Sequence, residues 1–254
     1  MKILLTGSGS LAEAYVKINP QAKIYSFRQM SDDEIEDSVC TASVLIHNSA
    51  ARWDSDPGKT KDSNFGLTKR IVNLVLYVNP KIKFINIGSM SYLTQWGYLP
   101  VSKMTQYAFY KFLSEIYCIM NLPNVISVRF STLFYKDFNR DGLSKLIYDA
   151  VFKKEICLFN GGTAKRDFIP INIAVQYLDY IIHKKTFQII NICSGIETSF
   201  LQVGKIISKY TNVEPIFGND EISEVLCKFI RELPEIKFSL ENEMNDYIKI
   251  LRLE

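Results

Sequence analysis

The chain has 254 residues, 47% hydrophobic and 22% charged, which is enough for one large domain, or a domain with a smaller lobe, around a sizeable core. A net charge of +3 with scattered basic residues argues against a nucleic-acid binder, and no apolar run reaches membrane-spanning length. The five cysteines form no CxxC and no leader precedes them, so reduced thiols and a cytoplasmic location are expected; with only His47 and His183 present, no metal site is expected.

The first half alternates β-rich runs with helical stretches. Strands are predicted at "KILLT" (2–6), "KIYSF" (23–27), "SVLIH" (43–47), "KFINI" (83–87) and "VISVRF" (125–130), mostly apolar throughout, as buried parallel strands are. Helical periodicity fills "SLAEAYV", "DSNFGLTKRIVNLVLYV" and "QYAFYKFLSEIYCIM". This alternation predicts an α/β fold, a doubly wound parallel sheet with right-handed crossovers. Further on, a helix is predicted around 143–153, a strand near "ICLF", a helix around 172–183, a strand at "FQIINI" and a helix from about 199. Residues 1–135 are read as a dinucleotide-binding core, and 136–254 as a mixed region that completes the sheet and forms a small C-terminal substrate lobe.

The segment "LLTGSGSLAEAY" places Gly7, Gly9 and Ala12 in GxGxxA spacing between a strand and a helix. Glycines there permit a tight turn and close approach of a pyrophosphate, and the helix N-terminus supplies N–H donors. Gly7, Ser8, Gly9, Ser10 and Leu11 are therefore the expected cofactor-binding turn. The second strand runs into "IYSFRQ", with Arg28 where an NAD site carries an acidic residue, so NADP is favoured and NAD stays possible. Ser49, Ala50 and Ala51 end the third strand in side chains small enough for a flat cofactor to lie on the backbone. "INIGSMSYL" ends the next strand with Ser89 and Ser91, hydroxyls at the sheet edge where such folds bind ligands. His47 is read as a satisfied core histidine rather than a catalyst.

A tyrosine and a lysine four apart share a helix face, and an ammonium near a phenol makes it a better proton donor. Three such pairs occur: Tyr77/Lys81, Tyr107/Lys111 and Tyr180/Lys184. Pro80 interrupts the first, and the third lies far from any sheet-edge hydroxyl. Tyr107/Lys111 starts the helix that follows the strand bearing Ser89, and is the expected catalytic pair.

Serine, tyrosine and lysine in that order, behind a glycine turn, resemble the short-chain dehydrogenase/reductase superfamily with its Rossmann-like sheet. The closer similarity is to its extended branch, the NAD-dependent epimerase/dehydratase family acting on nucleotide sugars. "SVLIHNSAAR", "SNFGLTKRIVNLV" with Asn64 and Thr68, "INIGSMSY", "YAFYKFLSE", "ICLFNGGTAKRDFIPI" and "NICSGIETSF" all resemble segments of that family. The resemblance implies Tyr107 as general acid/base, and Lys111 as the residue that lowers its pKa and holds the nicotinamide ribose. It further implies Ser89 on the reacting oxygen with Ser91 as fallback, Asn64 near the cofactor, and Arg166 on the substrate diphosphate. It also implies a homodimer through helices 62–78 and 106–120, which carry Leu74, Val75, Phe109, Phe112 and Ile116 on more than one face.

The chain departs from the family pattern in four places. The glycine turn is one residue shorter than Gly-x-x-Gly-x-x-Gly, and "RQMSDDEIEDSVCTA" is so short that a helix–strand unit is missing. Thr132 replaces an asparagine found beside the sugar in many relatives, and the C-terminal lobe is short, so substrate identity does not carry over. Met90 and Ser91 stand where 4,6-dehydratases carry a carboxylate pair, which disfavours dehydration. The expected activity is NAD(P)-dependent hydride transfer on a nucleotide sugar, as keto-sugar reduction or alcohol oxidation. A 4-epimerase is the alternative, and a non-catalytic dinucleotide sensor or scaffold the competitor from another class.

Overall fold

A computed structural model describes residues 1–48, 57–94, 97–184, 188–218 and 233–253. The chain divides into two compact units: Met1–Leu93 with Gly97–Phe130 and Val175–Ile192, and Thr94–Trp96 with Ser131–Ala174 and Cys193–Glu254.

In chain order the elements begin β1 (Ile3–Thr6), α1 (Ser10–Ile18), β2 (Lys23–Tyr25), α2 (Asp32–Val39), β3 (Val44–His47) and α3 (Pro57–Lys61). A π-helical turn (Asp62–Gly66) leads into α4 (Leu67–Val78), β4 (Lys83–Ser89), the two-residue β5 (Leu93–Thr94) and β6 (Gly97–Tyr98), α5 (Gln106–Asn121) and β7 (Val125–Phe130). Then come β8 (Thr132–Phe134), α6 (Gly142–Tyr148), a second π turn (Asp149–Lys153), β9 (Ile156–Phe159), β10 (Lys165–Pro170) and α7 (Ile171–His183). The chain closes with β11 (Ile189–Ile192), β12 (Glu197–Ser199), α8 (Phe200–Thr211), β13 (Pro215–Gly218) and α9 (Leu240–Leu251).

The first unit holds a six-stranded sheet in the order β11-β7-β4-β3-β1-β2, with every pairing parallel. The apolar strand runs explain it: β1, β3 and β7 are buried at every position, so both faces must be covered by helices. Leu4, Leu45, Phe84 and Val125 are successive register partners across four strands. They face one core with Ile35 and Val39 of α2, Ile71, Val72 and Val75 of α4, and Cys118 of α5. Burying each such side chain contributes about 1.5–3 kcal/mol. The predicted doubly wound parallel sheet is therefore present.

Two details refine the sequence reading. β2 stops at Tyr25, because residues 26–29 form a turn closed by the Gln29 N–H on the Ser26 carbonyl at 2.8 Å. The short segment after it still holds a helix, α2, whose Ser31 and Glu34 cap each other reciprocally. β2 lies at the border of the sheet.

The second unit has a three-stranded sheet, β12-β10-β8, and a parallel pair, β13-β9. "ICLF" thus pairs outside the large sheet, and the helix predicted over 143–153 is α6 followed by a π turn. Helix α9 presents Met244, Tyr247, Ile248 and Leu251, one apolar stripe, to a core with Phe134, Ile147, Phe168 and Ile207. Among the described residues no helix is long and apolar enough to cross a membrane.

Candidate active site

The glycine turn follows β1 directly. Gly7 has φ +85°, a conformation few side-chain-bearing residues adopt, and its N–H donates to the Tyr25 carbonyl at 2.8 Å. Gly9 is the N-cap of α1 and no side chain caps that helix; the Ala12 and Glu13 N–H groups turn back onto the Gly9 carbonyl. A Cβ placed on Gly9 would meet nothing nearer than Asn48 Nδ2 at 3.7 Å, so the backbone is open to close approach. Ser8 is exposed and Ser10 half-buried, while Leu11 and Ala12 pack inward and seat the helix on the sheet. An uncapped helix N-terminus behind an open glycine is a donor set that fits the pyrophosphate of a nicotinamide dinucleotide.

Arg28 is exposed in the turn after β2. That turn is clasped from α4 by Arg70, which donates to Asp32 at 2.7 Å and to the Met30 carbonyl at 2.8 Å. Ser49, Ala50 and Ala51 lie outside the described residues.

Thr105 caps α5 by accepting from the Ala108 N–H, which puts Tyr107 in the first helical turn. Tyr107 is half-buried and Lys111, one turn further on, is buried. The Lys111 ammonium donates to the Ile87 carbonyl at 2.5 Å, two residues before Ser89 on β4. Burial pushes its pKa down to about 8, against Cys118 and Glu115, which act to raise it. Ser89 donates to Ser91 Oγ at 2.9 Å and accepts the Ser91 N–H at 3.1 Å. The other two tyrosine–lysine pairs have no such setting: Tyr77 is 81% exposed and α4 ends before Lys81, and α7 ends before Lys184.

A charged pair that sequence reasoning missed lies against these elements. Glu115 of α5 is fully buried and accepts from Arg129 Nε at 2.9 Å, Tyr92 Oη at 2.8 Å and Ser127 Oγ at 2.6 Å. Arg129 Nη2 also donates to Tyr98 Oη at 2.6 Å, and the guanidinium lies over the Tyr92 and Tyr98 rings at 5.5 and 5.2 Å. Burial works against the Arg129 charge, but the hydrogen bonds and charge of Glu115 outweigh it and hold the guanidinium protonated. Gly88 is glycine for a packing reason, since a Cβ there would lie 3.0 Å from Tyr92 Oη and 3.3 Å from Glu115 Oε2. The signal available in the sequence was an arginine inside the apolar run "VISVRF", which requires a buried counter-charge.

Asn64 is buried in the π-helical turn, its side-chain amide donating to the Thr60 carbonyl at 2.9 Å. Thr132 and Arg166 belong to the second unit. Thr132 pairs with Phe168 in the three-stranded sheet, and Arg166 Nη1 donates to the Lys165 carbonyl at 2.8 Å. The carboxylate of Asp167 accepts from Ser131 Oγ, Ser194 N–H, Ser194 Oγ and the Gly195 N–H. Among the described residues, no group of three or more His, Cys, Asp or Glu side chains could hold a metal ion.

The profile of the NAD dependent epimerase/dehydratase family matches residues 28–193. No curated protein matches the chain. Among solved structures, a UDP-glucose 4-epimerase from the hyperthermophile Thermotoga maritima, in complex with UDP-glucose, is similar with a TM-score of 0.82 at 16% identity, covering 100% of this chain and 99% of that one. MoeE5 in complex with UDP-glucuronic acid and NAD is similar with a TM-score of 0.86 at 14% identity, covering 100% and 99%. A GDP-mannoheptose C4 reductase from Campylobacter jejuni with NADP bound is similar with a TM-score of 0.76 at 13% identity, covering 99% and 98%. At these identities the likeness shows the fold alone.

Proposed function

Because this chain belongs to the NAD dependent epimerase/dehydratase family, whose members are NAD(P)-dependent enzymes of nucleotide-sugar chemistry, we propose that Tyr107, Lys111 and Ser89 form its catalytic group. The observation that carries this reading is the Lys111 ammonium on the Ile87 carbonyl, which ties the helix bearing Tyr107 to the strand end bearing Ser89. When bound, the dinucleotide supplies hydride acceptance and donation at its nicotinamide ring. The protein's own residues handle the proton. Tyr107 takes it from, or returns it to, the oxygen on the reacting sugar carbon, and Ser89 donates a hydrogen bond to that oxygen, with Ser91 beside it. A cationic Lys111 favours release of the phenolic proton and offers its remaining N–H donors to a ribose. Proton transfer of this kind contributes on the order of 10²–10⁴-fold.

Gly7, Ser8, Gly9, Ser10 and Leu11 take the pyrophosphate in this reading, with Ser49, Ala50, Ala51 and Asn64 completing the cofactor's surroundings. Residues 1–135 form the cofactor portion, and Thr132 and Arg166 serve the sugar nucleotide, Arg166 at its diphosphate. Of the two dinucleotides we take NAD as the primary one: more of the similar solved structures name NAD than NADP, which outweighs the lone argument from Arg28. Oxidation–reduction of a keto-sugar or alcohol is the first reading and 4-epimerisation the second; Met90 and Ser91 leave no carboxylate pair for dehydration.

The test is turnover with a panel of nucleotide sugars and their 4-keto forms beside Tyr107→Phe. The variant is expected to lose at least about 10²-fold in kcat while retaining cofactor; unchanged activity would end the assignment. Homodimerisation rests on the half-buried Leu74, Phe109 and Ile116. Val75 is spent in the core, and Phe112 packs within the unit on the Tyr92 and Tyr98 rings. A monomer in light scattering at micromolar concentration would refute the dimer.

A further inference from the structure

A line of buried polar groups crosses the first unit beneath the glycine turn. The Asn48 N–H donates to Thr6 Oγ1 at 3.1 Å, and that oxygen lies 2.9 Å from His47 Nδ1. On the other side of the ring, His47 Nε2 lies 2.8 Å from Thr68 Oγ1. Thr68 donates to the Asn64 carbonyl at 2.7 Å, and Ser114, one turn past Lys111 on α5, donates to the same carbonyl at 2.7 Å. Thr6, His47, Thr68 and Ser114 are each at most 2% exposed.

Proton counting gives this line a direction. A carbonyl oxygen only accepts, so the single Thr68 hydroxyl proton is committed to Asn64. Thr68 Oγ1 must then accept at His47, which places the imidazole hydrogen on Nε2. A neutral ring with a hydrogen on Nε2 has a bare Nδ1, and that nitrogen accepts the Thr6 hydroxyl proton. Thr6 in turn accepts from Asn48. Reversing any one bond sets two acceptors or two donors face to face, and in a dry interior such a mismatch is costly.

A second proton on the ring would break the order at Thr6. Burial, first, and then the Lys111 ammonium push the His47 pKa down to about 3. The Phe84 ring packs on the imidazole at 5.9 Å between centroids.

We propose that His47 is a positioning residue, a neutral Nε2–H imidazole whose two hydrogen bonds hold the strand leading into the glycine turn in register with the helices that carry Asn64 and Lys111. It touches neither cofactor nor substrate and acts through Thr6 and through the Asn64 carbonyl. A core histidine that merely satisfied itself would need no fixed direction, and an apolar residue could replace it once both threonines were replaced as well. The inference rests on the reading of the glycine turn as a dinucleotide site.

The chain has only two imidazoles, which makes the test clean. In ¹⁵N-labelled full chain carrying His183→Gln, the remaining ring is expected to show a bare Nδ1 and a protonated Nε2, unchanged between about pH 5 and 9. An Nδ1–H form, or a titration within that range, overturns the proposal. His47→Asn keeps a partner only for Thr6, and His47→Gln only for Thr68. Each is expected to weaken NADH binding, read by fluorescence on folded protein, by about tenfold or more. Wild-type binding with both variants unchanged overturns the proposal alone; a wild-type chain that binds neither NADH nor NADPH overturns the cofactor reading and this inference with it.

Discussion

Lys111 donates its ammonium to the main-chain carbonyl of Ile87 at 2.5 Å, so the lysine is anchored on the strand two residues short of Ser89. The contact ties that helix to that strand through one buried charge.

That charge titrates in an accessible range. Burial lowers the Lys111 pKa from 10.5 to about 8, so in the folded chain the ammonium discharges as pH rises through that value. The unfolded chain keeps its proton to about pH 10.4. Folding is therefore penalised by this group below pH 8, and the penalty fades as pH climbs from there toward the unfolded value. In the proposed mechanism catalysis runs the other way, because there the cation favours proton release from Tyr107. The kcat profile is expected to fall above about pH 8, and Lys111→Arg, which stays charged, is expected to lack that alkaline limb whatever rate it retains.

Glu115 and Arg129 form a buried pair with side chains 0% and 7% exposed. Arg129→Met strands a carboxylate among Tyr92 and Ser127, and a loss of about 3–5 kcal/mol in urea unfolding is expected. Replacing both charges, by Glu115→Leu with Arg129→Met, is expected to cost less than either single change. A double variant as unstable as the sum of the singles would show that the pair acts only through packing.

Asp167 draws together β10 and the turn after β11 by accepting four hydrogen bonds. Asp167→Ala leaves two part-buried N–H donors and two hydroxyls to find other partners, and a loss of about 1–3 kcal/mol is expected. Asp167→Asn, which keeps one acceptor oxygen, is expected to lose about half as much. Equal losses from the two substitutions would count against the hydrogen bonds as the cause.

Arg28 is the remaining handle on cofactor choice. If a 2′-phosphate is held after β2, Arg28→Ala is expected to weaken NADPH binding by about tenfold and leave NADH untouched. With NAD as the natural cofactor, neither Kd moves by more than about twofold. Fluorescence titration with both nucleotides separates the cases.

What could be read in the chain followed from how local each signal was. The parallel strands were legible because burial on both faces writes itself as unbroken apolar runs, and β7 matches its predicted bounds residue for residue. The helix of Tyr107 was legible from its periodicity alone, and the structure adds that Thr105 caps it. β8, β10 and β12 were not, since three- to six-residue strands with mixed burial show no period of their own. Helix α9 carries a clear apolar stripe that the sequence reading passed over. Long-range pairings were the least visible. "RDF" and "NICSG" each looked distinctive, yet only the structure shows that the first supplies the carboxylate which the second wraps. Glu115 drew no notice in the sequence because its partners lie 12 to 23 positions away.

The sheet ends at β2, three residues long and opening on an exposed lysine. A border strand this brief offers an incoming chain too few rungs to zip onto, and a charge at its first position makes docking there costlier still. Such a margin resists self-association, so this side of the sheet carries its own protection against fibrous growth.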